Sequence, residues 1–264
     1  MIFARTAADA ASSRFARRTP EGAAIWRTDF FGPPPSPVDS GSVDPGSAEG
    51  PEYVEPRPGE IRPPQAFLVE QEPGATVHAH FHYVDQFQVV VGGSGRIGKH
   101  DLTPIMVHFA GANTPYGPIL PSDQGISYFT LRASADSTGA QFMPAARARR
   151  RPAPWRYELA RPVTSTEKAL SGRQEVEIEP ILSGDGGLSV VMLRLPPGGS
   201  VATPPPSEGN GQSLLVTAGS ILHGGSICGR LSALFIPPAS PAPGLTAGAG
   251  GADVLLLQFP ETGG

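Results

Sequence analysis

Apolar side chains occur in this chain as short Val, Ile, Leu and Phe runs, stopped by Pro-Gly, Gly-Gly or Pro-Pro before they reach helical length. That punctuation restricts the fold more than any other feature. Glycine (33) and proline (31) fill nearly a quarter of the 264 positions, yet 39% of the residues are apolar, which argues against wholesale disorder. The expectation is an all-β protein of one large or two ordinary domains, long enough to bury a core.

The runs fall into two series with one layout. The first comprises residues 65–72, a histidine-bearing stretch, 86–91, 104–110 and 126–131. The second begins near Glu175 and comprises 188–195, 213–217, 231–236 and 254–259. Glu72-Pro73-Gly74 matches Pro196-Pro197-Gly198, residues 109–115 match 235–241, and the closing runs 128–131 and 256–259 follow in the same order. Duplication of one β unit is implied, so a sandwich or barrel is expected twice.

Residues 74–93, GATVHAHFHYVDQFQVVVGG, hold most of the chemistry. His78, His80 and His82 alternate, and in an extended strand alternate side chains share a face. Two neutral imidazoles one pleat apart can chelate a first-row divalent ion, with the Gln86 amide oxygen as a weaker third donor. A site of His78, His80 and His82 is the alternative. Otherwise His78 is expected to contact substrate or orient the ligands. Asp85 could replace Gln86 only by reversing its face. His108 either lines the pocket or packs as a hydrogen-bonded core residue, while His100 and His223 carry little signal. Tyr116 is a candidate acid/base, a metal ligand once its phenol (ordinary pKa about 10) loses a proton, or a turn residue packed on the rim.

These residues resemble the cupin family. Its first motif runs Gly, five residues, His-x-His, three or four residues, Glu, six residues, Gly. Gly74, His80, His82, Gln86 and Gly93 reproduce that spacing with glutamine in place of the acid. Its second motif is Pro-x-Gly, two residues, then a metal-binding His. Pro115-Tyr116-Gly117 supplies the turn, and Leu120 stands at the histidine position. The resemblance implies two cupin-type (double-stranded β-helix or jelly-roll) barrels in tandem, and a site in the first barrel held by His80, His82 and Gln86, with Tyr116, His78 and His108 as the catalytic candidates. It implies a divalent transition metal, Fe(II) before Mn, Ni or Zn. The function expected is oxygenase or Lewis-acid chemistry on a small organic molecule, of a dioxygenase-like oxidoreductase, with isomerase or lyase activity as variants. The alternative is a metal-free small-molecule-binding or structural bicupin. In the second copy Pro204, Pro206, Asn210 and Thr246 are matched to the site, which makes that barrel structural. A homodimer paired through sheet edges is also implied.

The expected domains are an N-terminal extension (1–51), the first barrel (52–144), an Arg/Pro-rich linker (145–172) and the degenerate second barrel (173–264). The extension is expected to hold a short helix over 6–17, a strand over 24–31, and a mobile loop over 32–51 that could serve as a lid. The linker carries Arg147, Arg149, Arg150, Arg151 and Arg156 but a single aromatic, Trp155. It reads as a solvated segment packing Trp155 on a domain, not as a nucleic-acid surface. A net charge of −4 points to neither nucleic acid nor a membrane. The single Cys228 reads as a core residue in a reducing compartment. The N-terminal stretch lacks a signal-peptide core, and a cytoplasmic location is expected.

Overall fold

The computed structural model describes residues 1–19, 22–35, 53–57 and 60–261. From residue 36 onward the expected 32–51 loop, with any role as a lid, lies outside the described residues. The chain divides into two compact units, one of Ser13–Pro162 and one of Met1–Ser12 with Val163–Gly264. Each is built on an eight-stranded sheet. The fold is all-β, two cupin-type barrels in tandem.

The first twelve residues contribute β1 (Phe3–Arg5) and α1 (Ala7–Ala10), whose N-cap Thr6 accepts from the Asp9 N–H. The N-terminal barrel follows with β2 (Phe15–Arg18), β3 (Ala24–Phe31), β4 (Gln65–Gln71), β5 (His80–Phe81), β6 (Gln86–Ile97), β7 (His100–Leu102), β8 (Val107–Ala110), β9 (Ile119–Arg132), β10 (Gln141–Phe142) and β11 (Tyr157–Leu159). Its main sheet runs β11-β8-β6-β9-β4-β3-β2, and β5 pairs β10. After α2 (Glu167–Leu170) come β12 (Glu177–Ser183), β13 (Ser189–Leu195), β14 (Ser200–Ala202), β15 (Gln212–His223), β16 (Ser226–Gly229), β17 (Ala233–Ile236) and β18 (Gly244–Gln258). These form the C-terminal barrel in the order β1-β17-β15-β18-β13-β12.

Three expectations about the ends of the N-terminal domain are corrected. The helix over 6–17 stops at Ala10, because Phe15-Ala-Arg-Arg18 pairs with β3 and exposes its side chains alternately. Cross-strand pairing outweighs the helix preference of Ala and Arg there. The stretch set apart as an extension is divided between the units, with β2 and β3 forming one margin of the N-terminal sheet. Inside the expected linker, β11 pairs β8, since Tyr157 and Leu159 pack against the core, and Trp155 remains 62% exposed.

The duplication holds at the level of irregularities. β6 and β15 are each 12 residues long and begin with glutamine. Register shifts fall at Val90/Gly92 and Gly93/Gly95 in one, and at Val216/Ala218 and Gly219/Ile221 in the other. Gly93 (φ 64°) and Gly219 (φ 68°) are left-handed, and a Cβ on either would lie 2.2 or 2.1 Å from the carbonyl oxygen of Gly125 or Gly251. Glycine is therefore required there, and Gly92-Gly93 marks a bulge rather than the strand end expected at residue 91. Equivalent positions are 126 residues apart, as in Gln86 and Gln212 or Gly125 and Gly251. The closing run 128–131 thus matches 254–257, two residues earlier than the sequence comparison placed it.

That spacing exposes the difference that positions the site. The C-terminal core includes Leu214, Leu234 and Leu256. At the equivalent places the N-terminal barrel buries Gln88, His108 and Thr130. One interior is aliphatic; the other is partly polar and leaves a cavity.

Candidate functional site

The cavity in the N-terminal barrel has a volume of about 70 Å³. Its polar lining comes from the approach to β6 (His80, His82), from β6 (Gln86, Gln88), from the turn before β9 (Tyr116), from β9 (Tyr128, Thr130, Arg132), and from β2 and β3 (Arg17, Arg27). Phe67, Val69, Val77 and Phe142 are among its apolar walls. Period-two alternation explains the β9 contribution, since Tyr128, Thr130 and Arg132 share one face.

The polar groups form one chain of hydrogen bonds. His78 accepts on its backbone oxygen from His80 Nδ1 at 2.7 Å, which leaves His80 Nε2 as an acceptor. The Tyr116 hydroxyl donates to that nitrogen at 2.7 Å and accepts from the Gln86 amide nitrogen at 2.5 Å. Arg132 donates to Gln86 Oε1 through Nε (3.1 Å) and Nη2 (3.0 Å), and to Gln65 Oε1 through Nη1 (2.7 Å). The same Nη2 lies 3.1 Å from both His82 Nδ1 and His82 Nε2, while His82 Nδ1 is 2.8 Å from Asp136 Oδ2. The carboxylate fixes His82 with a proton on Nδ1, and the guanidinium nitrogen, equidistant from both ring nitrogens, lies against the ring rather than along the Nε2 lone pair. Asp136 Oδ1 accepts from the Thr138 N–H and hydroxyl and from the Gly139 N–H.

Charges in this chain are settled by burial and pairing. Burial pushes the Asp136 carboxyl up, but the hydrogen bond and charge of His82, the Arg132 guanidinium and Thr138 together hold it well below the usual carboxylate range. Burial, then the neighbouring His82, keep the His80 imidazole well below its ordinary value. His80 is neutral. Arg132 is 1% exposed, and its charge is balanced by Asp136 across the His82 ring.

The expected residues are placed as follows. His80, His82, Gln86 and Tyr116 come together, all buried. His78 is exposed, because the histidine stretch is extended as β5 for two residues rather than as a regular strand, so the three rings do not share a face. This removes the three-histidine alternative and any ring contact of His78 with the cavity; its carbonyl is what orients His80. His108 is buried with Nδ1 2.8 Å from Gln88 Oε1 and its ring 5.0 Å from that of Tyr116. Among the described residues the cavity lining does not include it, and its Nε2 has no hydrogen-bond partner. Burial holds that imidazole down to about 3. The Asp85 carboxylate accepts from the Ala112 N–H at 2.7 Å. Leu120 pairs with Arg96 away from the histidines, and Tyr116, bridged to His80, is the residue that faces them.

Sequence reasoning missed Arg132, Asp136, Gln65 and Arg17. One signal for Arg132 was present. It continues the inward parity of Tyr128 and Thr130 and stands opposite the start of β6, as Gln258 stands opposite Gln212. Asp136 lies beyond the strands in a turn, where periodicity is silent.

A metal ion does not fit these donors. His80 Nε2 is engaged by Tyr116, while Arg132 Nη2 lies 3.1 Å from both nitrogens of His82, Nε2 included, and donates to Gln86 Oε1. An ion bonded to His82 Nε2 and Gln86 Oε1 would take the place of a guanidinium nitrogen. Like charges at that separation repel by on the order of 5 kcal/mol or more. Among the described residues no group of three His, Cys, Asp or Glu side chains is placed to hold a metal.

No protein family model and no curated protein matches the sequence. Solved structures do. The pirin YhhW of Escherichia coli in complex with nickel(II) is 12% identical, with a TM-score of 0.54 over 99% of this chain and 100% of that one. A putative dioxygenase of Nostoc punctiforme is 9% identical, with a TM-score of 0.55 over 99% of this chain and 79% of that one. AerE of Microcystis aeruginosa is 13% identical, with a TM-score of 0.50 over 97% and 96%. At these identities the likeness is one of fold alone, that of two β-barrels in tandem.

Proposed function

We propose that the N-terminal barrel holds a metal-independent site for a small organic molecule, with the Arg132 guanidinium as its fixed cation. The observation that carries this reading is the chain of contacts from Asp136 through His82, Arg132, Gln86 and Tyr116 to His80, which sets a guanidinium among the donors of the expected metal set. Buried polar groups satisfied in this way form a rigid, preorganised surface. The Tyr116 hydroxyl, set between a neutral imidazole and an amide N–H, supports proton exchange with a bound molecule through His80.

The metal-dependent, oxygenase-type reading draws its support from the likeness to the nickel complex of YhhW and to the putative dioxygenase of Nostoc. It requires Arg132 to leave its partners. Elemental analysis of protein purified without chelator separates the two readings. Less than about a tenth of an ion per chain, unchanged in His80→Ala/His82→Ala, is expected here. Near-stoichiometric iron or nickel that the double substitution abolishes would establish the metal reading.

A further inference from the structure

The charges around the cavity do not cancel. Three guanidinium groups line it, and among the described residues the lining holds no Asp or Glu. Arg132 is balanced by Asp136 through His82, and Arg27 by Asp29 at 2.7 Å. Arg17, half-buried on β2, makes no salt bridge among the described residues. Alternation along β2 brings Phe15 and Arg17 together onto the cavity side. Arg17 is half-buried and among the residues that line the cavity, so it borders the polar pocket instead of standing wholly in solvent. Among the described residues one positive charge is therefore left for a ligand to meet.

Size and polarity narrow the choice further. A volume of about 70 Å³ equals roughly five water molecules, room for about five to eight non-hydrogen atoms. Val69, Val77, Ala140 and Phe142 give one part of the wall no polar partner to offer. A ligand that fits has one charged end and a short apolar body.

We infer that the cavity takes a small organic monoanion, a short-chain carboxylate, and that Arg17 captures its charged end. This deepens, and rests on, the metal-independent reading above. Arg17 donates to the carboxylate, the aliphatic body lies against Val69, Val77 and Phe142, and Tyr116 meets the part nearest the floor. A guanidinium–carboxylate pair in a partly buried site is a charge-assisted interaction, one that a neutral amide cannot reproduce.

The test is calorimetric titration of the chelator-treated full chain with isobutyrate and with isobutyramide, which match in size and differ in charge. Isobutyrate is expected to bind about tenfold more tightly, the effect of one charge-assisted hydrogen bond. In Arg17→Met, with its circular dichroism spectrum unchanged, the two probes should come within about twofold of each other, and Arg17→Lys should restore part of the preference. Equal affinities in the parent protein, no detectable binding of isobutyrate, or a preference that survives Arg17→Met would overturn the inference. Isobutyrate binding that appears only after nickel is added, and is lost in His80→Ala/His82→Ala, would instead overturn the metal-independent reading.

Discussion

The two barrels share a scaffold down to their bulges, and they differ in what fills it. At the mouth of the paired strands the N-terminal barrel sets Gln86 against Arg132, and the C-terminal barrel sets Gln212 against Gln258. The amide pair is neutral and needs no counter-charge. Gln212 donates to Gln258 Oε1 at 2.8 Å and to the Pro204 carbonyl, and Gln258 donates to the carbonyls of Gly211 and Phe259. Replacing one amide by a guanidinium imports a charge that needs Asp136, His82 and Gln65 around it. Exchanging Leu214, Leu234 and Leu256 for Gln88, His108 and Thr130 opens the space beneath. The functional difference between the barrels thus arises from about half a dozen inward-facing positions, while the outward frame is kept.

The sharpest way to break this comparison is to remove the cation. Arg132→Met should destabilise the protein by about 3–5 kcal/mol in denaturant unfolding, since it removes the cation nearest the buried Asp136 carboxylate and leaves the Gln86 and Gln65 side-chain oxygens without their donor. Gln258→Met, at the equivalent place, should cost only about 1–3 kcal/mol. Equal losses would mean that the two positions do the same structural work. A second test restores the aliphatic interior. His108→Leu alone leaves Gln88 Oε1 unpartnered and should cost about 1–3 kcal/mol, whereas His108→Leu/Gln88→Leu, which recreates Leu234 and Leu214, should recover most of that loss. Additive costs would show that the pair contributes nothing through its mutual bond.

The pH dependence is a smaller effect with a definite sign. His108 is neutral in the fold, where burial holds it to about 3, and protonates near its ordinary value of about 6.5 when unfolded. The unfolded chain binds more protons between those values, so stability falls as the pH drops through that window, by up to about 1.4 kcal/mol per pH unit for each such histidine. His80 adds in the same direction. The C-terminal barrel has His223 alone, only partly buried, so mild acid should open the N-terminal barrel first. Hydrogen exchange between pH 7 and 5 would show this, and simultaneous loss of protection in both barrels would contradict it.

Much of the architecture was legible in the residues. Short apolar runs and the spacing from Gly74 to Gly93 pointed to barrels, and the match of 109–115 with 235–241 revealed their duplication. The chemistry was legible only in part. His80, His82 and Gln86 stood out because their spacing is local, and their joint burial follows from it. What completes the site comes from far along the chain, as Arg132 and Asp136 follow His82 by about fifty residues and meet it only through the β6·β9 pairing and a turn beyond it. The regular strand assumed for His78 failed for a related reason. β5 needs the two-residue partner β10, which sequence periodicity cannot reveal.

The central claim is that Arg132 stands where a metal ion would be required to stand. Nitrogen-15 spectra of the His80 and His82 rings, recorded while nickel(II) is added to the full chain, test it most directly. The His80 ring should be neutral with its proton on Nδ1, and both rings should keep their line widths at one equivalent of nickel. Selective broadening of the two rings together at one equivalent would contradict the account.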